Sequence, residues 1–271
     1  DKITGISEHN IDDLTFLICR GGWPHAIGMK KKAALSQAED YYDAVVKSDI
    51  NRADGVNKNP ERVKRLMRSF ARNQGAQIGY TTLRDDIQAN DTGSLNEDTV
   101  ASYVDALKKI FVIEDMPAWN PNLRSKTSIR SSDTRYYIDP SIATAALGIG
   151  PNDLVNDLNT MGLLFETLCV RDLRVYAESI GGDVLHYRDK SGLECDTVIH
   201  LRNGSYGLAE IKLGGQKLIE EGVENLKALE KKIDTSKMPG PSFMMIVVGI
   251  GDFAYRREDG IYIVPIGCLR H

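Results

Sequence analysis

Leu193-Glu194-Cys195-Asp196-Thr197-Val198-Ile199-His200-Leu201 and Ser205-Tyr206-Gly207-Leu208-Ala209-Glu210-Ile211-Lys212-Leu213, joined by Arg202-Asn203-Gly204, decide the fold of this chain. Both runs are rich in Val, Ile and Leu, and Arg-Asn-Gly is a turn sequence, so the spacing predicts two adjacent strands. Side chains of a strand alternate faces. Glu194 and Asp196 therefore share one face of the first strand, and Glu210 and Lys212 share one face of the second. Three carboxylates and an ammonium then converge within strands apolar enough to be buried. Ionised groups are rare there unless they are paired, bind a metal or carry out chemistry.

Mg²⁺ or Mn²⁺ takes one or two carboxylates, a backbone carbonyl and several waters. Asp196, Glu210 and the carbonyl of Ile211 match that donor set. Such an ion polarises a phosphoryl oxygen and acidifies a bound water, while Lys212 would orient or deprotonate that water and offset charge in the transition state. The expected chemistry is phosphodiester hydrolysis. A plain ion pair of Lys212 with Asp196 or Glu210 is the competing reading, because Glu-x-Lys is short enough to arise by chance.

Working outward, Asp153 to Ser179 reads as one helix, with Leu154, Leu158, Met161, Leu164, Phe165 and Leu168 recurring at three and four. Val184 to Arg188 is a strand. Gln216 to Ile233 is a helix whose stripe is Leu218, Ile219, Val223, Leu226 and Leu229. Ser242 to Ile250 is a continuously apolar strand expected at the centre of a sheet. The order is helix, three strands, helix, strand: an αβββαβ core within an α/β (α+β) protein. Phe253 to Arg257 and Ile261 to Pro265 add a closing hairpin around Glu258-Asp259-Gly260. Glu166, in the apolar stretch Gly162-Leu163-Leu164-Phe165-Glu166, is a supporting acid for the metal site or else a surface acid partnering Arg171 or Arg174.

In the N-terminal half, residues 7 to 20 and 33 to 48 read as helices, with Ser7 as cap and Gly21-Gly22-Trp23-Pro24 as the break. Trp23 is expected to be a hydrophobic plug. Pro60 to Gln74 has one apolar stripe of Val63, Leu66, Met67, Phe70 and Ala71. Thr81 to Ala89 and Asn96 to Ile110 are further helices, followed by strands at Phe111 to Trp119 and Tyr136 to Asp139. That is a winged-helix order. Its third helix would enter the major groove, yet Glu97, Asp98 and Asp105 suit DNA poorly, so a protein-packing role stands beside DNA reading. The intervening basic segment carries Arg124, Lys126, Arg130 and Arg135, the better candidates for DNA contact, with a solvated loop as the plainer alternative.

The domain boundaries expected are 1–52 for a helical segment, 53–140 for the winged helix and 141–271 for the core. At 271 residues and net charge −4, the chain is long enough for several domains, and a mild negative charge disfavours nucleic-acid binding by the whole surface. With no apolar run of about 18 residues and no charged-then-apolar leader, no membrane span or signal peptide is expected, and the location expected is cytoplasmic. Cys19, Cys169, Cys195 and Cys268 lack a C-x-x-C pair and read as reduced thiols, and the five histidines lack zinc spacing.

Gly21-Gly22-Trp23-Pro24, Tyr136-Tyr137-Ile138-Asp139, Gly162-x-x-Phe165-Glu166, Glu194-x-Asp196 and Glu210-x-Lys212 occur in this order. By these five motifs most of the chain resembles a prokaryotic family of AAA-type ATPases whose C-terminal domain is restriction-endonuclease-like. The resemblance implies a helical ATPase lid, a winged helix and a nuclease-like domain of the PD-(D/E)XK type. Glu166, Asp196, Glu210 and Lys212 would be its catalytic residues. No Gly-x-x-x-x-Gly-Lys-[Ser/Thr] loop occurs, so ATP would act only through an ATPase domain outside this chain, and Asp1 in place of Met predicts a fragment. The partners expected are DNA, that ATPase domain and a second copy of the chain. Because folds are reused, a noncatalytic module that binds DNA or protein, or oligomerises, is the alternative.

Overall fold

Asn10, not Ser7, starts the first helix. In the computed structural model, which describes residues 5–89, 93–121 and 133–269, α1 (Ile11–Arg20) is preceded by a reciprocal cap. Asn10 N–H donates to Asp13 Oδ2 (3.2 Å) and Asp13 N–H donates to Asn10 Oδ1 (2.9 Å), so two orphan donors of the first turn are satisfied. Ser7 is buried elsewhere, its N–H donating to Asp252 O at 2.9 Å. The chain forms two compact units: Thr15–Asp115 with Thr134–Thr167, and Asp1–Leu14 with Met116–Asp133 and Leu168–His271.

In the helical unit, α2 (Lys31–Ala44) follows the Gly-Gly-Trp-Pro break and continues through a π turn (Val45–Asp49) into a last helical turn (Ile50–Arg52), so it runs past the expected end at 48. Then come α3 (Pro60–Arg72), capped by the Asn59 side chain, α4 (Tyr80–Gln88) and α5 (Glu97–Lys109), capped by Asn96. β1 (Ile113–Met116) and β2 (Thr134–Tyr137) form a two-stranded sheet after them. Three helices and then this sheet are the element order expected of a winged helix. β1 is shorter than the apolar run from Phe111 to Trp119, because residues 111 and 112 are spent closing α5 and Pro117 interrupts the strand.

That closure is a Schellman turn. Val112 N–H reaches Leu107 O (2.9 Å) and Phe111 N–H reaches Lys108 O (3.0 Å), which places Phe111 in the left-handed region at φ 56°. The ring is 75% exposed, so little packing offsets the backbone strain. Phe111→Gly is expected to stabilise the protein by about 1 kcal/mol, seen as a higher urea midpoint. An unchanged or lower midpoint would contradict this.

After α6 (Pro140–Leu147), the expected single helix from Asp153 to Ser179 is two: α7 (Pro151–Asn156) and α8 (Leu158–Ser179). Asp157 separates them because its carboxylate accepts from Thr160 N–H (3.1 Å) and Thr160 Oγ1 (2.6 Å), which caps a new helix. The hydrophobic spacing runs straight through the break and hides it.

The second unit contains the rest of α8, β3 (Gly182–Arg188), β4 (Glu194–Leu201), β5 (Tyr206–Lys212), α9 (Gln216–Lys232), β6 (Phe243–Val248), β7 (Tyr255–Arg256) and β8 (Tyr262–Pro265). The strand order is β3-β4-β5-β6-β8-β7. β3, β4 and β5 are antiparallel neighbours, β5–β6 and β6–β8 are parallel, and β7–β8 is the closing hairpin. From α8 to β6 the order is αβββαβ, as expected, and apolar β6 is interior. Val223, Leu226 and Leu229 of α9 pack with Val198, Leu208 and Ile246 of the sheet in one core. Trp119 is buried in it, its ring centroid 5.0 Å from that of Tyr206 and 6.1 Å from that of Tyr187. The protein is thus mixed α/β, a helical N-terminal region followed by the larger sheet. Among the described residues no helix is long and apolar enough to cross a membrane.

Candidate functional site

The β4–β5 ladder holds from His200↔Tyr206 to Thr197↔Ala209 and then opens. Beyond that point β5 stays paired with β6, Glu210 opposite Ile246 and Lys212 opposite Val248. On the open side a side chain replaces the lost backbone partner: Asp196 Oδ2 accepts from Ile211 N–H at 2.7 Å. This fixes the carboxylate of Asp196 where the two strands part, on the Glu210–Lys212 side.

Lys212 Nζ lies 2.7 Å from Glu210 Oε2 and 3.3 Å from Asp196 Oδ2. Glu210 is 1% exposed, and both Lys212 and Asp196 are largely covered. Burial disfavours the charge on Lys212, but the two carboxylates beside it outweigh burial and raise its pKa above the ordinary lysine value. Lys212 is therefore a fixed cation here. The thiol of Cys195, on the opposite face of β4, is pushed well up by burial and by the Glu210 and Asp196 charges, which makes it inert.

Helix α9 covers this corner and carries a glycine, Gly222, at the contact. A Cβ on Gly222 would stand 3.0 Å from Ile246 Cδ1, 3.4 Å from Glu210 Cβ and 3.5 Å from Lys212 Cε. The tightest of these approaches is to Ile246, and it is the one eased by the absence of a side chain at residue 222. The β7–β8 hairpin holds α9: Arg257 grips Glu220 with two hydrogen bonds of 2.8 and 3.0 Å, and Asp259 accepts from Lys227 at 2.7 Å. The Lys227 contact lowers the Asp259 pKa to about 2.

Of the residues singled out from sequence, Asp196, Glu210, Ile211 and Lys212 are brought together. Glu194 is not. It pairs across the strands with Arg188 at 3.1 Å, and both side chains are half exposed. Glu166 lies in the helical unit, where its Oε1 accepts from Tyr136 Oη at 2.7 Å and stands 2.5 Å from the position of a Cβ on Gly75, whose φ is +67°. Arg135 uses its guanidinium inside the same unit: Nε donates to Asp115 (3.1 Å), Nη1 donates to Ile78 O (2.9 Å), and the group lies over the Tyr80 ring. Arg124, Lys126 and Arg130 lie outside the described residues.

Two carboxylates at a strand opening, beside backbone oxygens, form a hard donor set that suits a largely hydrated Mg²⁺ or Mn²⁺. Among the described residues no cluster of three or more His, Cys, Asp or Glu side chains gathers at metal-binding distance. Two protein carboxylates leave the remaining positions around such an ion to water.

Residues 11–153 match a family model described as a domain of unknown function, DUF8612, and residues 161–269 match a second, DUF4143. The first match covers more than half of the chain, and the chain belongs to the DUF8612 family. The DUF4143 domain is found in proteins associated with AAA-type ATPases. No curated protein and no solved structure matches the chain.

Proposed function

We propose that this member of the DUF8612 family carries, in its DUF4143 portion, a metal-dependent phosphodiesterase site of the PD-(D/E)XK nuclease type that acts on DNA. The observation that supports it is the meeting of Asp196, Glu210 and Lys212 where the β4–β5 ladder opens, within an αβββαβ order. Asp196 and Glu210 would hold Mg²⁺ or Mn²⁺, with the Ile211 backbone alongside. The ion, when bound, supplies Lewis acidity and an acidified water. Lys212 would orient or deprotonate that water and offset negative charge on the phosphoryl oxygens in the transition state. Ile211 N–H keeps the Asp196 carboxylate from turning away. Glu166 would be a supporting acid in this reading; it also accepts from Tyr136 Oη, which ties α8 to β2.

Under this reading the partners are DNA, met by the basic segment of Arg124, Lys126 and Arg130, an AAA-type ATPase domain that confers any ATP dependence, and a second copy of the chain. The compartment is the cytoplasm. A second reading, a noncatalytic nuclease-like module, draws on one observation: Asp196 Oδ2 is already shared by Ile211 N–H and Lys212 Nζ, so that carboxylate has partners within the protein.

Single- and double-stranded DNA incubated with the chain and Mg²⁺ or Mn²⁺ decides between them. The parent should cut, and a Glu210→Ala, Lys212→Ala double variant should cut slower by a factor on the order of a hundred or more. Cutting retained by the variant would refute the site. DNA retained in a mobility shift without any product from the parent would favour the noncatalytic module.

A further inference from the structure

We infer that Lys212 is the resident cation of the Asp196–Glu210 pair, and that a divalent ion enters only as the Lys212 ammonium leaves. The inference rests on the reading of that pair as an ion site. Its ammonium sits between the two acids, 2.7 Å from one and 3.3 Å from the other, so a dication bound by the same oxygens would meet a like charge at near contact. One group has to move. Asp196 is pinned by Ile211 N–H at 2.7 Å, and Glu210 is 1% exposed beneath α9. Lys212 has a flexible four-carbon stem and retains 21% side-chain exposure, so it has both the freedom and a path to solvent.

On the helix side, Gly222 presents no side chain toward Lys212 Cε. Outward rotation of the lysine takes its charge from the carboxylates to the mouth of the strand opening, where an incoming phosphodiester anion would arrive. Ion loading and presentation of the lysine to substrate are then one event. Without an ion the site is held shut by its own cation.

Two measurements on the full chain test this. Acylation of lysines by an amine-reactive acetylating reagent, read by peptide mass spectrometry, should rise several-fold at Lys212 when Mn²⁺ is added. Lys217, which is 89% exposed, serves as the reference and should not change. Calorimetric titration with Mn²⁺ should show Lys212→Met binding about ten-fold or more tightly than the parent, because the competing state is removed. Asp196→Asn should bind weakly. Equal Mn²⁺ affinity in parent and Lys212→Met, with unchanged Lys212 acylation, would overturn the inference and leave the ion site standing. Absence of Mn²⁺ binding by both proteins would overturn the inference together with the ion site. The acylation measurement uses the parent alone, so it holds even if the variant folds poorly.

Discussion

Asp139→Ala is expected to destabilise the helical unit by about 3–4 kcal/mol, the sum of a lost helix cap and of buried donors left without an acceptor. Asp139 is buried and serves at least three donors. Its Oδ1 accepts from Ser141 N–H (2.9 Å) and Ser141 Oγ (2.5 Å), capping α6, while its Oδ2 accepts from Gly22 N–H at 2.8 Å. Ser141 Oγ in turn accepts from Trp23 Nε1 at 2.9 Å, and the Trp23 ring lies 4.7 Å from that of Tyr41. The Gly-Gly-Trp-Pro break is thereby locked to the start of α6. Trp23, expected to be a hydrophobic plug, is also a hydrogen-bond donor in that lock.

Gly21→Ala should cost at least as much from the other side of the same lock. Gly21 has φ +73°, and an added Cβ would stand 2.4 Å from both Asp139 Oδ1 and Ser141 Oγ. Neither atom can retreat without breaking its own hydrogen bonds. Urea unfolding of the two variants against the parent checks both values, and losses below about 1 kcal/mol would show that the lock carries little of the stability.

The second large effect concerns the loop between α2 and α3. Lys58 has a side chain that is 0% exposed, and its Nζ lies 2.6 and 2.7 Å from the two oxygens of Asp54. Val56 O and the Tyr103 ring complete the surroundings at 3.5 and 5.9 Å. Asp54→Ala leaves an ammonium buried without its counter-charge and should cost about 3–5 kcal/mol. Lys58→Met keeps the volume of the stem, and the Asp54 side chain, 17% exposed, can turn to water, so that change should cost clearly less. Equal losses, or a larger loss for Lys58→Met, would contradict this asymmetry. Thermal unfolding of the two single variants reads it directly.

The β4–β5 hairpin was legible because strands buried on both sides are written in Val, Ile and Leu, and because alternation by two puts Glu210 and Lys212 on one face whatever surrounds them. The order αβββαβ followed from the same periodicities. Helix caps were less legible, since Asn10 with Asp13, and Asp157 with Thr160, are short polar patterns that compete with a hydrophobic spacing continuing past them. Glu194 could not be assigned by alternation alone. It has the face of Asp196, but its partner, Arg188, comes from the neighbouring strand.

The sequence by itself determined which segments become strands and helices, and which side chains of β4 and β5 share a face, because both depend on local backbone periodicity and burial. Only the tertiary structure decided where charges end up. Gly22 meets Asp139 across 117 residues and Glu166 meets Tyr136 across 30, while Lys212 settles between Asp196 of β4 and Glu210 of β5. Ion pairs and buried hydrogen bonds form between whatever groups packing brings within about 3 Å, and that proximity is set by chain topology, which no local pattern encodes.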